Sequence, residues 1–159
     1  MSQQHYDLIK HWMEIAGQTV NGMPTVPSDK DVLLRVKLLL EEAFEFTEAC
    51  LIDSSRESRL LNSVLQNFAL ARNDLEEFIE SGEPLKGKVN MKEALDAIVD
   101  IEVVNTGTAV TFGFDSPEGF KRVMDSNFSK FVDGKAIKNA AGKVMKGPNY
   151  KEPDLSGLY

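Results

Sequence analysis

Residues 38–51 read LLLEEAFEFTEACL, an unbroken helical pattern in which Glu41, Glu42, Glu45 and Glu48 are set among leucine, phenylalanine and alanine. On a helix, Glu41, Glu45 and Glu48 fall on successive turns of one face, and Glu42 and Glu45 pair at i, i+3. Like charges so placed repel one another unless a cation stands between them. A second run, EALDAIVDIEVV at 93–104, sets Asp96 and Asp100 at i, i+4 inside another apolar segment. Packed face to face, two such helices would gather their carboxylates in a partly dry cleft, an arrangement that is costly without a cation. The alternative is that the acids are the wet faces of two amphipathic helices.

Working outward, the central helix is expected over Val32–Ile52, with Asp29 or Asp31 as its cap and Asp53-Ser54-Ser55 as its break. Before it, residues 5–16 carry Tyr6, Leu8, Ile9, Trp12, Met13 and Ile15, a short helix closed by Gly17. The stretch QTVNGMPTVPSDKD between them is a loop, whose Val20, Met23 and Val26 either cover a cleft or pack on the outside. After it, a helix over Arg56–Glu80 buries Leu60, Leu61, Val64, Leu65, Phe68, Leu75, Phe78 and Ile79, and SGEPLKGK makes a turn. The second acidic helix spans Asn90–Thr111. Asn90 and Glu93 resemble a capping box, Val99, Val103, Val104 and Val110 are buried candidates, and Gly113 is the stop. A shorter helix begins at Asp115 or Ser116, with Pro117 in its first turn and its pattern running to Phe131.

Beyond Phe131 the chain turns basic and glycine-rich. Lys135-Ala-Ile-Lys138, the turn NAAG and Lys143-Val-Met suggest a small hairpin followed by an irregular tail. These lysines are an ordinary solvated surface, a subunit contact, or a set that reaches a ligand's phosphates.

At 159 residues the chain has room for one domain. Its net charge of −7 argues against a protein that grips a nucleic-acid backbone, but leaves room for a phosphate ligand neutralised by metal. Cys50, the single cysteine, has no internal disulfide partner and reads as a small buried hydrophobe. His5 and His11 have no cysteine pair or further histidine with which to build a zinc site, and read as surface or packing residues. No stretch approaches the length of a membrane span, and no basic leader precedes an apolar core. The expectation is a cytoplasmic protein with neither membrane nor nucleic-acid partners.

Clustered carboxylates without histidine or cysteine form an all-oxygen donor set, suited to Mg²⁺ or Mn²⁺ more than to zinc. Such a site leaves coordination positions for water and phosphate oxygens. The chemistry it supports is hydrolysis of a phosphate anhydride: the ions neutralise the phosphate chain, and one carboxylate orients or deprotonates a water for in-line attack.

The motif Glu41-Glu42-x-x-Glu45, followed by the helix with Asp96 and Asp100, resembles the all-α nucleoside triphosphate pyrophosphohydrolase superfamily. That group includes MazG proteins, dimeric dUTPases and phosphoribosyl-ATP pyrophosphohydrolases. The resemblance continues through Asp100-Ile-Glu-Val-Val-Asn-Thr-Gly107, Phe112-Gly113-Phe-Asp115, Ser126-Asn127-Phe-Ser129-Lys130 and Gly142-Lys143-Val-Met-Lys146-Gly147-Pro-Asn-Tyr150, with Pro153-Asp154. These segments are similar to a phage and bacterial branch labelled phosphoribosyl-ATP pyrophosphohydrolase-like.

The resemblance implies a helical fold that assembles as a homo-oligomer, dimer or tetramer. It also implies Mg²⁺-dependent cleavage of an NTP or dNTP between the α and β phosphates, giving a monophosphate and pyrophosphate. Carried onto this chain, it makes Glu42 and Glu45 leading metal ligands, Glu41 a further ligand or water-orienting base, and Asp100 their partner. Glu41 and Glu45 are then the catalytic candidates. Asn127 and Lys130 become nucleotide contacts, and Lys143 and Lys146 lie near the phosphate chain. Where the family has a glutamate three residues before the aspartate, this chain has Ala97. Asp96 or Glu93 is left to supply that carboxylate.

The expected architecture is therefore an all-α bundle of four main helices, a short fifth and a C-terminal hairpin. It forms a single domain over 1–159, with 132–159 as an irregular basic extension. A nucleotide or metal sensor without catalysis, a phosphoribosyl-ATP pyrophosphohydrolase and a structural helical interaction protein are the competing functions.

Overall fold

The computed structural model describes residues 2–51, 59–139 and 144–159. They form five helices: α1 (Gln3–Ile15), α2 (Asp29–Leu51), α3 (Arg59–Ser81), α4 (Met91–Phe112) and α5 (Ser116–Phe128). The all-α expectation holds. Two compact units are present, Thr25–Val89 and Met1–Pro24 with Asn90–Tyr159.

In the unit Thr25–Val89, α2 and α3 pack antiparallel, with Lys37 against Glu76 and Phe44 against Phe68. The inward stripe of α2 is half-buried and follows a spacing of three and four residues: Lys37, Leu40, Glu41, Phe44, Thr47, Glu48 and Leu51. It meets Leu65, Phe68, Leu75, Phe78 and Ile79 of α3, all half-buried, whereas Val64 is exposed. Ser28 caps α2, its hydroxyl accepting from the Asp31 amide at 3.1 Å and donating to the Asp31 carboxylate at 2.7 Å. The cap expected of Asp29 or Asp31 is thus made one residue earlier. Asp29 instead accepts from the Leu85 amide at 3.0 Å, tying the turn after α3 back to the start of α2. Cys50 is exposed, not buried as expected, because it lies off the stripe that faces α3. The expected break at 53–55 and the start of the third helix fall outside the described residues.

In the other unit, α1 packs on α5 through aromatic contacts. His5 stacks on Phe120 at 4.1 Å, Trp12 on Phe131 at 5.7 Å, and His11 lies 5.9 Å from Phe128. Both histidines are therefore packing residues of the α1–α5 seam. Ala16, Met124 and Phe131 are its buried apolar side chains. The Asp115 carboxylate caps α5 by accepting from the Glu118 amide at 3.2 Å, with Pro117 in the first turn where its missing N–H costs nothing. Helix α5 ends at Phe128, with Ser129 as its cap.

Helix α4 is capped as its sequence suggests. Asn90 accepts from the Glu93 amide at 3.4 Å, and Gly113 closes the helix in the left-handed conformation. The expectation of buried Val99, Val103, Val104 and Val110 is overturned, since all four are exposed. Neither α1 nor α5 forms a close pairing with α4, so periodicity identified apolar positions that no helix of this unit covers.

The C-terminal hairpin is also absent. No β-strand occurs among the described residues, only isolated antiparallel bridges between Val132 and Lys135 and between Lys138 and Val144. Asp133 and Gly134, both at positive φ, turn the chain tightly at the first bridge. Lys138 then donates to the Gly17 carbonyl at 3.2 Å, and the chain beyond Val144 is spent against α5. So short a ribbon has no covered face to extend it into a ladder.

Among the described residues, no single helix is long and apolar enough to cross a membrane. The α4–α5 pair meets that measure only when joined across a 112° bend.

Candidate functional site

The candidate residues fall into separate groups, and the unit Thr25–Val89 holds the densest. On α2, Glu41 lies on the half-buried stripe toward α3, while Glu42 and Glu45 are exposed. Lys37, one turn before Glu41, reaches its carboxylate at 3.7 Å and the Glu76 carboxylate of α3 at 2.7 Å. The ammonium is held in its charged form, with a pKa above the ordinary value, chiefly by the hydrogen bond it donates to Glu76. Glu76 responds in the opposite sense and titrates below the ordinary range.

Glu42 has a different environment. Desolvation beside its helix neighbours raises its pKa, and the charges of Glu45 and Glu41 add to the effect. The α2 acids thus divide into one that shares a lysine and one that is pushed toward its neutral form by desolvation and, after it, by like charges. Arg72 of α3 lies 5.7 Å from the Phe44 ring centroid, a cation over the aromatic wall that separates α2 from α3. Lys37, Glu76 and Arg72 were not singled out from sequence. The i, i+4 spacing of Lys37 and Glu41 was the available signal for the first, whereas Glu76 and Arg72 enter through tertiary packing.

Asp96 and Asp100 lie one turn apart on α4, in the other unit, and both are exposed. Glu93, the other candidate for the carboxylate missing at Ala97, is also exposed and offers its amide to the Asn90 cap. Among the described residues, no group of three or more histidine, cysteine, aspartate or glutamate side chains is arranged to hold a metal ion.

The segment Ser126–Lys130 has an evident structural duty. Ser126 is buried, and its hydroxyl donates to the Lys151 carbonyl at 2.7 Å. The Ser129 hydroxyl accepts from the Lys151 amide at 2.8 Å and donates to the Ser126 carbonyl at 2.7 Å. Between them, Lys130 donates to Asn127 Oδ1 at 2.7 Å, so the two expected nucleotide contacts hold each other. Lys146 lies 4.4 Å from the Tyr150 ring centroid and 3.7 Å from Glu152. Lys143 lies outside the described residues.

Arg122 completes the fastening of the tail. Its Nε donates to Glu118 at 2.9 Å, and Nη1 donates to the carbonyls of Asp154 and Ser156 at 2.9 and 3.2 Å. Asp154 accepts from both the amide and the hydroxyl of Ser156, which lowers its pKa. The Asp115 amide donates to Leu158 at 3.1 Å. These contacts explain the Pro153-Asp154 segment as a structural anchor.

No protein-family profile, curated protein or solved structure matches the chain.

Proposed function

We propose that this chain is a Mg²⁺-dependent nucleoside triphosphate pyrophosphohydrolase, which cleaves an NTP or dNTP between the α and β phosphates. The observation that supports it is the crowding of Glu41, Glu42 and Glu45 on α2, where Glu42, though on the exposed side of the helix, is held above its ordinary pKa by partial desolvation and then by its two acidic neighbours. A divalent ion relieves that repulsion, and an all-carboxylate donor set suits Mg²⁺, with Mn²⁺ as a substitute. Glu41, Glu42 and Glu45 of α2 are the residues that would hold it. The ion would neutralise the phosphate chain and polarise the scissile phosphoryl group. Glu41 and Glu45 would orient the attacking water and accept its proton. Asn127 and Lys130 would contact the nucleotide, and Lys143 and Lys146 the departing pyrophosphate. The resemblance carries the reaction class and the homo-oligomer, and the compartment is taken to be the cytoplasm.

A structural helical interaction protein is the second reading. The exposure of Glu45, Asp96 and Asp100 favours it, since solvated acids need no ion. Pyrophosphate release from a panel of NTPs and dNTPs with Mg²⁺ or Mn²⁺ separates the two. Metal-dependent release with a matching monophosphate, lost in Glu45→Ala, establishes the hydrolase. Silence across the panel, without a Mg²⁺-nucleotide shift in melting temperature, leaves the interaction protein.

A further inference from the structure

We infer that Glu76 of α3 positions the Lys37 ammonium so that Glu41 is free to take a divalent ion, a role that rests on the proposed reading of Glu41, Glu42 and Glu45 as the ion's ligands. The three carboxylates of α2 start from unequal positions. Glu41 lies on the half-buried stripe toward α3, and Glu42 and Glu45 lie on the exposed side. At about 100° per residue, Glu45 is turned about 40° from Glu41 toward Glu42 and stands one turn further along the helix. An ion drawn to the exposed pair therefore takes Glu41 at the rim of the seam, and that is where Lys37 stands.

Lys37 occupies the turn before Glu41 on the same face of α2, with Nζ 3.7 Å from Glu41 Oε1. An ammonium at that distance and a divalent cation on the same carboxylate repel each other, more strongly at a partly covered seam than in open water. Lysine and ion therefore compete for Glu41.

Glu76 decides that competition. Its Oε1 is 2.7 Å from Lys37 Nζ, against 3.7 Å for Glu41, so the closer contact of the lysine is to α3. The side chains of Lys37, Glu41 and Glu76 are 26, 32 and 42% exposed, and an ammonium deprived of both carboxylates would be left partly desolvated. With Glu76 in place, Glu41 can turn to the ion while the lysine keeps a partner. Without Glu76, the ammonium falls back on Glu41, and an ion must break that pair to bind. Glu76 thus acts through Lys37 and touches neither ion nor substrate.

The test reads the ion directly, on the full chain with Mn²⁺ alone, through the loss of the free-ion signal in electron paramagnetic resonance. Glu76→Gln is expected to weaken Mn²⁺ binding about threefold to fivefold, the effect of one partly exposed ion pair, and Lys37→Met to tighten it by a similar factor. In the Lys37→Met background, Glu76→Gln should change the affinity by less than about twofold, because its route of action is gone. Glu77→Gln, the same charge change at the exposed neighbour on α3, sets the size of the purely long-range effect. Circular dichroism checks that helicity is kept, and Lys37→Gln replaces Lys37→Met if that variant unfolds. A Glu76→Gln loss no greater than that of Glu77→Gln overturns the inference. So does a loss that persists in the Lys37→Met background, which would make Glu76 a ligand itself. If the native chain binds no Mn²⁺, the metal site and the role of Glu76 fall together. If the affinities follow the expected order while NTPs and dNTPs yield no pyrophosphate, the role of Glu76 stands and the hydrolase alone falls.

Discussion

Lys37 Nζ lies 2.7 Å from Glu76 Oε1 and 3.7 Å from Glu41 Oε1, so one cation on the α2–α3 seam serves two carboxylates. The ion pair predicts a stability contribution that is lost at both ends of the pH range. Lys37 is raised above 10.5, so its contribution is complete below that value and is lost as pH rises through the folded-state pKa. Glu76 is lowered below 4.5, so its contribution is present above that value and is lost as pH falls through the folded-state pKa. Lys37→Met should lower the melting temperature on the plateau between them and leave the acid and alkaline limits nearly unchanged. A series of melts across pH checks this. An equal drop at every pH would mean that the lysine acts through its packed stem instead of its charge.

Glu42 should behave in the opposite sense. Its pKa is raised above 4.5, so the folded state binds more protons than the unfolded one between those two values, and stability falls as pH rises through that window. Glu42→Gln is expected to stabilise the metal-free protein at neutral pH by about 0.5 kcal/mol, the scale of a like-charge helix pair. It should also reduce any stabilisation by Mg²⁺. Chemical denaturation with and without Mg²⁺ reads both effects, and a destabilised metal-free variant would count against repulsion at this cluster.

Local physics made much of this fold legible. The Asn90 cap, the Gly113 stop, the Asp115 cap and the turn at Gly82 are decided within a few residues, and the limits of α4 and the start of α5 follow from them. Ser28 was missed because the two aspartates nearer the apolar run drew the reading, although Ser28-x-x-Asp31 has the spacing of a capping pair. Val99, Val103, Val104 and Val110 failed as buried residues for another reason. Apolar periodicity reports which positions resist water, not which element covers them. The same limit applies to the candidate site. The spacing of Glu41, Glu42 and Glu45 could be read directly, but the sharing of Lys37 with Glu76 depends on how α2 meets α3. The apparent recognition segment at Ser126–Lys130 includes a staple for the tail, visible only once Lys151 is brought 25 residues back to Ser126.

That staple can be tested. Ser126→Ala removes the donor to the Lys151 carbonyl and leaves an oxygen part-buried, with only the longer 3.5 Å contact from Ser129. A loss of about 1–2 kcal/mol is expected. The tail should open first, so limited proteolysis after Lys151 should accelerate before the helices melt. Unchanged cleavage with lowered global stability would show that Ser126 supports α5 and not the tail.

Gly147 gives the sharpest steric prediction, because its need for a bare α-carbon comes from close approach and not from turn geometry. A Cβ at this position would stand 2.8 Å from the Lys130 carbonyl oxygen and 2.9 Å from Val132 Cγ2. Val132 could rotate, but Lys130 O belongs to the backbone just past the Ser129 cap of α5 and has little room to yield. Gly147→Ala should therefore cost about 1–3 kcal/mol, the scale of overpacking at a constrained site, despite the small gain from restricting the unfolded chain. Gly87→Ala is the control, since a Cβ there meets nothing within 4 Å. Urea melts of the two variants should differ by most of that amount. Equal midpoints would show that the segment after Val144 shifts freely away from α5, and that Ser126, Ser129 and Arg122 do not fix it in place.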